Sequence, residues 1–103
     1  MLTDHSKMTS KQRQYLRGLA HALEPVVRVG QKGVTPPVVA EAKRSLEAHE
    51  LIKVRIDADD PGSRRTVADA LAEATEAEIA GMIGKLAILY RPRPEKPRIK
   101  LPE

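Results

Sequence analysis

The 103-residue chain contains no cysteine, no phenylalanine and no tryptophan, and its only aromatic rings are those of Tyr15 and Tyr90. Without thiols there is no disulfide framework and no thiolate metal site, which fits a reducing compartment. Without a set of aromatic rings there is no platform on which successive bases could stack, so RNA-recognition-motif and OB-type modes of binding are excluded. Any nucleic acid would have to be met through its phosphate backbone and its shape. Tyr90, beside Arg91, admits two readings: a base-stacking ring, or a packing residue that finishes an edge strand. No apolar run approaches the roughly 20 residues needed to span a bilayer, and the charged first residues have no apolar stretch behind them. The expectation is a soluble, cytoplasmic chain of one domain, long enough to bury about two-thirds of its unfolded surface.

Charge is present in excess and is segregated. The formal net charge is +4. Residues 1–33 hold six Lys/Arg against two acids, residues 34–84 hold six against ten, and residues 85–103 hold six against two. If the two basic ends meet in the fold they make one positive face backed by an acidic one, the footprint of a polyanion binder. If they do not, they are two solvated tails.

Periodicity and punctuation predict an α-β-α-β-α-β-β order. Thr9 and Gln12 form a capping box that opens a helix running to about Leu23, with Leu16, Leu19, Ala20 and Leu23 as its apolar stripe and Pro25 as its stop. Val26 to Val29 reads as a strand. Thr35 caps a second helix with Pro36 at its first position and Val39, Ala42 and Leu46 inward. Leu51 to Ile56 alternates apolar residues with Lys53 and Arg55, as a strand with one cationic face does. Ser63 is expected to cap a third helix, with Val67, Ala70, Leu71 and Ala74 inward. Glu78 to Ile83 and Leu86 to Tyr90 make a hairpin on Gly84-Lys85. The chain thus divides into a flexible N-terminus (1–7), a domain (8–91) and a Pro-rich basic tail (92–103), expected to be extended and only partly ordered. Strands separated by helices imply a mixed sheet, so the fold class is α/β.

Gly30-Gln31-Lys32-Gly33 lies between the first strand and the second helix. With no Cβ at either glycine another chain can approach closely, the amides of Gln31, Lys32 and Gly33 are candidate phosphate donors, and Lys32 adds charge. The pattern alone is weak, since Gly-x-x-Gly arises by chance about once in two hundred residues. Gly81-Met82-Ile83-Gly84 supplies a second copy with an apolar middle, running into strand-like sequence. Position between strand and helix distinguishes the first.

Other constellations do not close. Asp57-Ala58-Asp59-Asp60-Pro61-Gly62 starts like a calcium loop, but its twelfth position is Ala68 instead of a bidentate glutamate. His5, His21 and His49 are far apart, and the latter two sit where a cation stabilises a helix C-terminus. No nucleophile, base and oxyanion site assemble, so no catalysis, metal or cofactor is expected.

Taken in order, Leu16-Arg17-Gly18-Leu19-Ala20, Pro25-Val26-Val27, Gly30-x-x-Gly33-Val34-Thr35, Val38-Val39, Glu50-Leu51-Ile52-Lys53-Val54 and Ile83-Gly84-x-x-x-Ile88-Leu89-Tyr90-Arg91 resemble the CRM domain, in particular the small bacterial YhbY-type proteins made of this domain alone. The resemblance covers about residues 8 to 91. It implies a mixed four-stranded sheet with three helices, similar to the C-terminal domain of translation initiation factor three. It also implies RNA binding, association with precursors of the large ribosomal subunit and, in plant organelle relatives, group II intron splicing. The family's glycine loop falls on Gly30, Gln31, Lys32 and Gly33. Its basic surface would draw on Arg28, Lys11, Arg17, Lys53, Arg55, Lys85 and Arg91. The expected role is a non-catalytic module on large-subunit ribosomal RNA. The rival is an adaptor that docks a basic ribosomal protein through the acidic middle segment.

Overall fold

The computed structural model describes residues 8–103. The N-terminus assigned to residues 1–7, with His5, lies outside the described residues. Among the described residues seven elements follow one another: α1 (Ser10–Ala20), β1 (Pro25–Val29), α2 (Pro36–His49), β2 (Leu51–Ile56), α3 (Pro61–Thr75), β3 (Glu78–Ile83) and β4 (Leu86–Tyr90). The strands form one α/β sheet in the order β1-β2-β4-β3. Only β1 and β2, joined through α2, run parallel; the other pairings are antiparallel.

Two apolar clusters lie on the two faces of the sheet. Val27, Val29, Ile52, Val54, Ile56, Ala87 and Leu89 point towards α2 and α3 and meet Ala42, Leu46, Ala68, Leu71 and Ala72. Leu51, Ile88 and Tyr90 point the other way, towards Leu16 and Ala20 of α1. The period of two along each strand therefore assigns the remaining residues of β1 and β2. Arg28, Lys53 and Arg55 share the face that α1 covers only in part.

Both halves of the capping box form at 3.0 Å, Gln12 N donating to Thr9 Oγ1 and Thr9 N to Gln12 Oε1. A cap of this kind contributes about 1 kcal/mol, against about 2 for burying Leu16, so docking fixes the helix more than its own start does. The helix ends at Ala20, three residues earlier than expected. His21 N is shared between the Arg17 and Gly18 carbonyls, and Leu23 N turns back to Ala20 O at 2.9 Å, so the chain leaves the helix ahead of Pro25. Leu19 and Leu23 are consequently exposed; they line a shallow groove with Val26 and Ile99. Asp60, not Ser63, caps α3: its carboxylate accepts from Ser63 N at 2.9 Å and Ser63 Oγ at 2.8 Å, with Pro61 in the first turn. The inner face is formed by Ala68, Leu71, Ala72 and Thr75, with Val67 packed at its margin, and Ala70 and Ala74 lie outside.

Tyr90 lies in an interior strand rather than an edge strand, and it is buried in the second cluster. Packing is its role. Burial and the neighbouring Glu50 carboxylate both push its hydroxyl pKa up. Both edge strands carry an irregularity, Val26 being extra against β2 and Ala80 extra against β4.

The tail has no regular structure, yet it is tied down. Glu50 caps α2 at φ 65, and its side chain is fully buried. One carboxylate oxygen accepts from Arg93 N at 2.8 Å, the other from Arg98 N at 2.9 Å and Ile99 N at 3.0 Å. Ile99 and Leu101 then pack on the α1 cluster, and Pro102 O accepts from Gln12 Nε2. Desolvation pushes the Glu50 pKa up, but the three amides and the Arg93 charge outweigh it and hold it below the ordinary glutamate value.

Candidate nucleic-acid interface

The glycine turn closes on itself. Gly33 N donates to Gly30 O at 3.1 Å, and Thr35 N to Gly33 O at 3.0 Å. The Gly33 amide expected to face a phosphate is therefore committed to the turn, leaving the amides of Gln31 and Lys32 unpartnered among the described residues. Gly33 has φ +79, a conformation that side-chain-bearing residues adopt at a cost. Gly30 does not, and a Cβ on it would meet nothing within 4 Å. The chain's own geometry gives no reason for glycine at position 30. Only a body approaching from outside would feel the difference.

The helix behind the turn adds little of its own. Pro36 and Pro37 bring no N–H, and the next amide, that of Val38, is capped by Thr35 Oγ1 at 3.4 Å. A helix start normally offers those three donors to an anion. An anion placed at this helix start would have to be held by the turn amides and Lys32 instead.

Next to the turn the sheet supplies more cations. Arg28 and Arg55 are register partners on β1 and β2. Both bond one carboxylate: Arg28 Nε donates to Asp57 Oδ2 at 2.6 Å and Arg55 Nε to Oδ1 at 3.1 Å. These two bonds, led by Arg28, hold the Asp57 pKa below its usual value. With Glu41 the two arginines line a shallow depression at the open edge of β1. Asp57 N donates to Val29 O, immediately before Gly30, and Ile56 N to Lys85 O, which brings the β3–β4 turn to the same end of the sheet. Gly30 to Gly33, Arg28, Arg55 and Lys85 therefore gather at one end.

The other sequence candidates stand elsewhere. Lys53 Nζ donates to Leu23 O at 3.0 Å and His21 O at 3.5 Å, fastening the end of α1 to the sheet. Arg17 Nη1 bonds Ala80 O at 3.2 Å, lying across β3. Lys11 is exposed in the first turn of α1. Arg91 bonds Thr75 O at 2.9 Å and pairs with Glu47 at 3.6 Å, clamping the C-terminal ends of α3 and α2. Glu47 is eleven residues into α2, so Arg91 is roughly 17 Å along that helix from the turn. Arg93 and Arg98 likewise cap the α2 carbonyls of Glu47 and Ala48. Arg93 and Arg98 of the tail thus close a helix end instead of joining the glycine turn, while Lys96 and Lys100 are exposed.

Asp57 was legible only as part of an acidic turn. Its spacing of two from Arg55 signals a shared strand face, but its bond to Arg28 depends on register.

The chain is similar to several known proteins. The family model for the CRS1 / YhbY (CRM) domain matches residues 8–91. An RNA-binding protein of Haemophilus influenzae is 41% identical over 95 residues, covering 92% of this chain and 95% of that one. The Bacillus subtilis protein named "Probable RNA-binding protein YqeI" is 35% identical over 95 residues, covering 92% and 99%. The solution structure of Staphylococcus aureus SAV1595 superposes with a TM-score of 0.83 at 35% identity, covering 92% of this chain and 99% of that one. A match of one family model to the whole folded unit, with relatives and a solved structure aligned nearly end to end, places this chain in the CRS1/YhbY (CRM) domain family.

Proposed function

We propose that this chain is a non-catalytic RNA-binding module that acts in the cytoplasm on large-subunit ribosomal RNA during assembly of the ribosome. The observation that carries the RNA reading is the pairing of an outward-facing glycine turn, with two amides unpartnered among the described residues, and the Arg28/Arg55 couple, whose Arg28 stands two residues before it. Such a surface takes up phosphates in a fixed relative position. None of the residues named in it carries an aromatic ring for an unpaired base, so it favours structured RNA, whose backbone is already ordered. The names of the relatives support RNA as the ligand. The resemblance to YhbY-type proteins supports the ribosomal assignment.

The test has two arms. Binding of a structured ribosomal RNA fragment and of a homopolymeric single strand is compared by fluorescence anisotropy over a salt series. The structured RNA binds more tightly, and log affinity falls steeply with log salt. Tighter binding to the homopolymer overturns the reading. In cell extracts the protein co-sediments with large-subunit precursors on sucrose gradients, and RNase releases it. An association that survives RNase belongs instead to an adaptor docking a basic protein through the acidic segment. Crosslinking and sequencing of the bound RNA then identifies the site.

A further inference from the structure

We propose that Asp57 is a positioning residue of this interface, holding Arg28 and Arg55 as a preset pair whose outer guanidinium edges take neighbouring phosphates of one RNA backbone. The inference rests on the RNA reading above and deepens it. Each arginine uses only Nε on the carboxylate, at 2.6 and 3.1 Å. The four N–H groups on the two terminal nitrogens of each guanidinium have no partner among the described residues. Those edges are the ones that grip a phosphate in the two-point geometry peculiar to arginine.

The relative exposure of the three side chains gives the order in which an incoming ligand meets them. Arg28 is 70% exposed and Arg55 48%, whereas Asp57 is 20% exposed. The carboxylate lies behind the cations and leaves the pair with an excess positive charge. Asp57 is itself fixed from the backbone, through its amide on Val29 O. A long exposed arginine normally loses rotamer freedom when it binds; here that ordering has taken place before the ligand arrives. Because the Asp57 amide bonds the residue that leads into Gly30, the carboxylate holds the arginines beside the turn, so turn and pair address one strand.

The test is decided by a sign. Asp57→Asn deletes a negative charge beside the phosphates, so simple Coulombic addition requires tighter RNA binding. Positioning requires weaker binding. Affinity for an RNA hairpin of about 16 base pairs is measured by anisotropy at about 0.15 M salt, with thermal melts alongside. Asp57→Asn is expected to weaken binding about fivefold, and to have no effect in an Arg28→Ala, Arg55→Ala background. Arg28→Lys, which keeps the charge at a well-exposed position but lacks the planar fork that offers one edge to the carboxylate and another to a phosphate, is expected to weaken binding several-fold without altering the melt. Unchanged or tighter binding by Asp57→Asn, or full affinity in Arg28→Lys, overturns the positioning role while leaving the RNA reading intact. Failure of the wild-type protein to bind the hairpin overturns both.

Discussion

Arg17 lies across Gly81, so closely that a Cβ at position 81 would come within 2.5 Å of its Cδ and 2.9 Å of its Cγ. The glycine that made Gly81-Met82-Ile83-Gly84 look like a second phosphate loop is thus a packing requirement of α1 on β3. Gly81→Ala forces the Arg17 stem aside and breaks its bond to Ala80 O. The expected cost is about 1 kcal/mol, at the low end for overpacking because an arginine stem can bend. Chemical denaturation measures it. In an Arg17→Ala background, where the space is free, the same alanine is expected to be neutral or mildly stabilising. A full cost in that background would remove Arg17 as the cause.

The two glycines of the turn respond differently. Gly30→Ala meets open space at an ordinary φ, so the melting temperature stays at the wild-type value while RNA affinity drops. Gly33→Ala, at φ +79, costs about 1 kcal/mol of stability before any ligand is added. Parallel melts and RNA titrations separate the two effects. Wild-type RNA affinity in a folded Gly30→Ala protein would take the turn out of the interface.

Glu50 links acidity to the tail. Its pKa is lower folded than unfolded, so its contribution is complete above the ordinary value of 4.5 and is lost as pH falls through the lower folded value. The amide resonances of Arg93, Arg98 and Ile99 are expected to move together over that acidic window, and not at neutral pH. In Glu50→Gln the pH dependence disappears, and the loss of a charge-assisted acceptor costs about 2 kcal/mol. Tail amides that titrate independently of one another would show that the carboxylate does not hold them.

Charge reversal distinguishes the ends of the sheet. Lys32→Glu together with Lys85→Glu is expected to lower RNA affinity at least tenfold with little change in stability. Arg91→Glu faces Glu47 and gives up the Thr75 carbonyl, so its effect is a lower melting temperature with RNA affinity nearly intact in the folded protein. Arg65→Glu on α3, which meets Asp69, leaves RNA affinity unaltered. Loss of affinity only in the α3 variant would place the binding face on the other side of the sheet.

The element order and the bounds of β2, β3 and β4 were legible because local signals determine them: strict alternation in β2 and a two-residue turn between β3 and β4. The helix ends were less so. Asp60 and Ser63 are both good caps, and the choice follows from where β2 releases the chain. Of the site, the turn was readable from glycine spacing and from its position between strand and helix. The sorting of cations was not, because what occupies Lys53, Arg91 and Arg93 is a set of backbone carbonyls at helix ends, contributed by segments 16 to 46 residues away. Carbonyls carry no side-chain signature. The tail-holding role of Glu50 was invisible for the converse reason: its partners are amides, which every residue but proline has.

The two irregular edge strands have a further consequence, for encounters between copies of the chain. A sheet recruits a foreign strand by offering a straight row of unpaired amides and carbonyls. At β1 the row is interrupted by the extra residue Val26 and begins with Pro25, which has no amide hydrogen; at β3 it is bent by Ala80. Arg28 adds a charge to the first of these edges. The four-stranded sheet is thereby kept from templating a fifth strand, and aggregation by edge-to-edge growth is opposed on both sides.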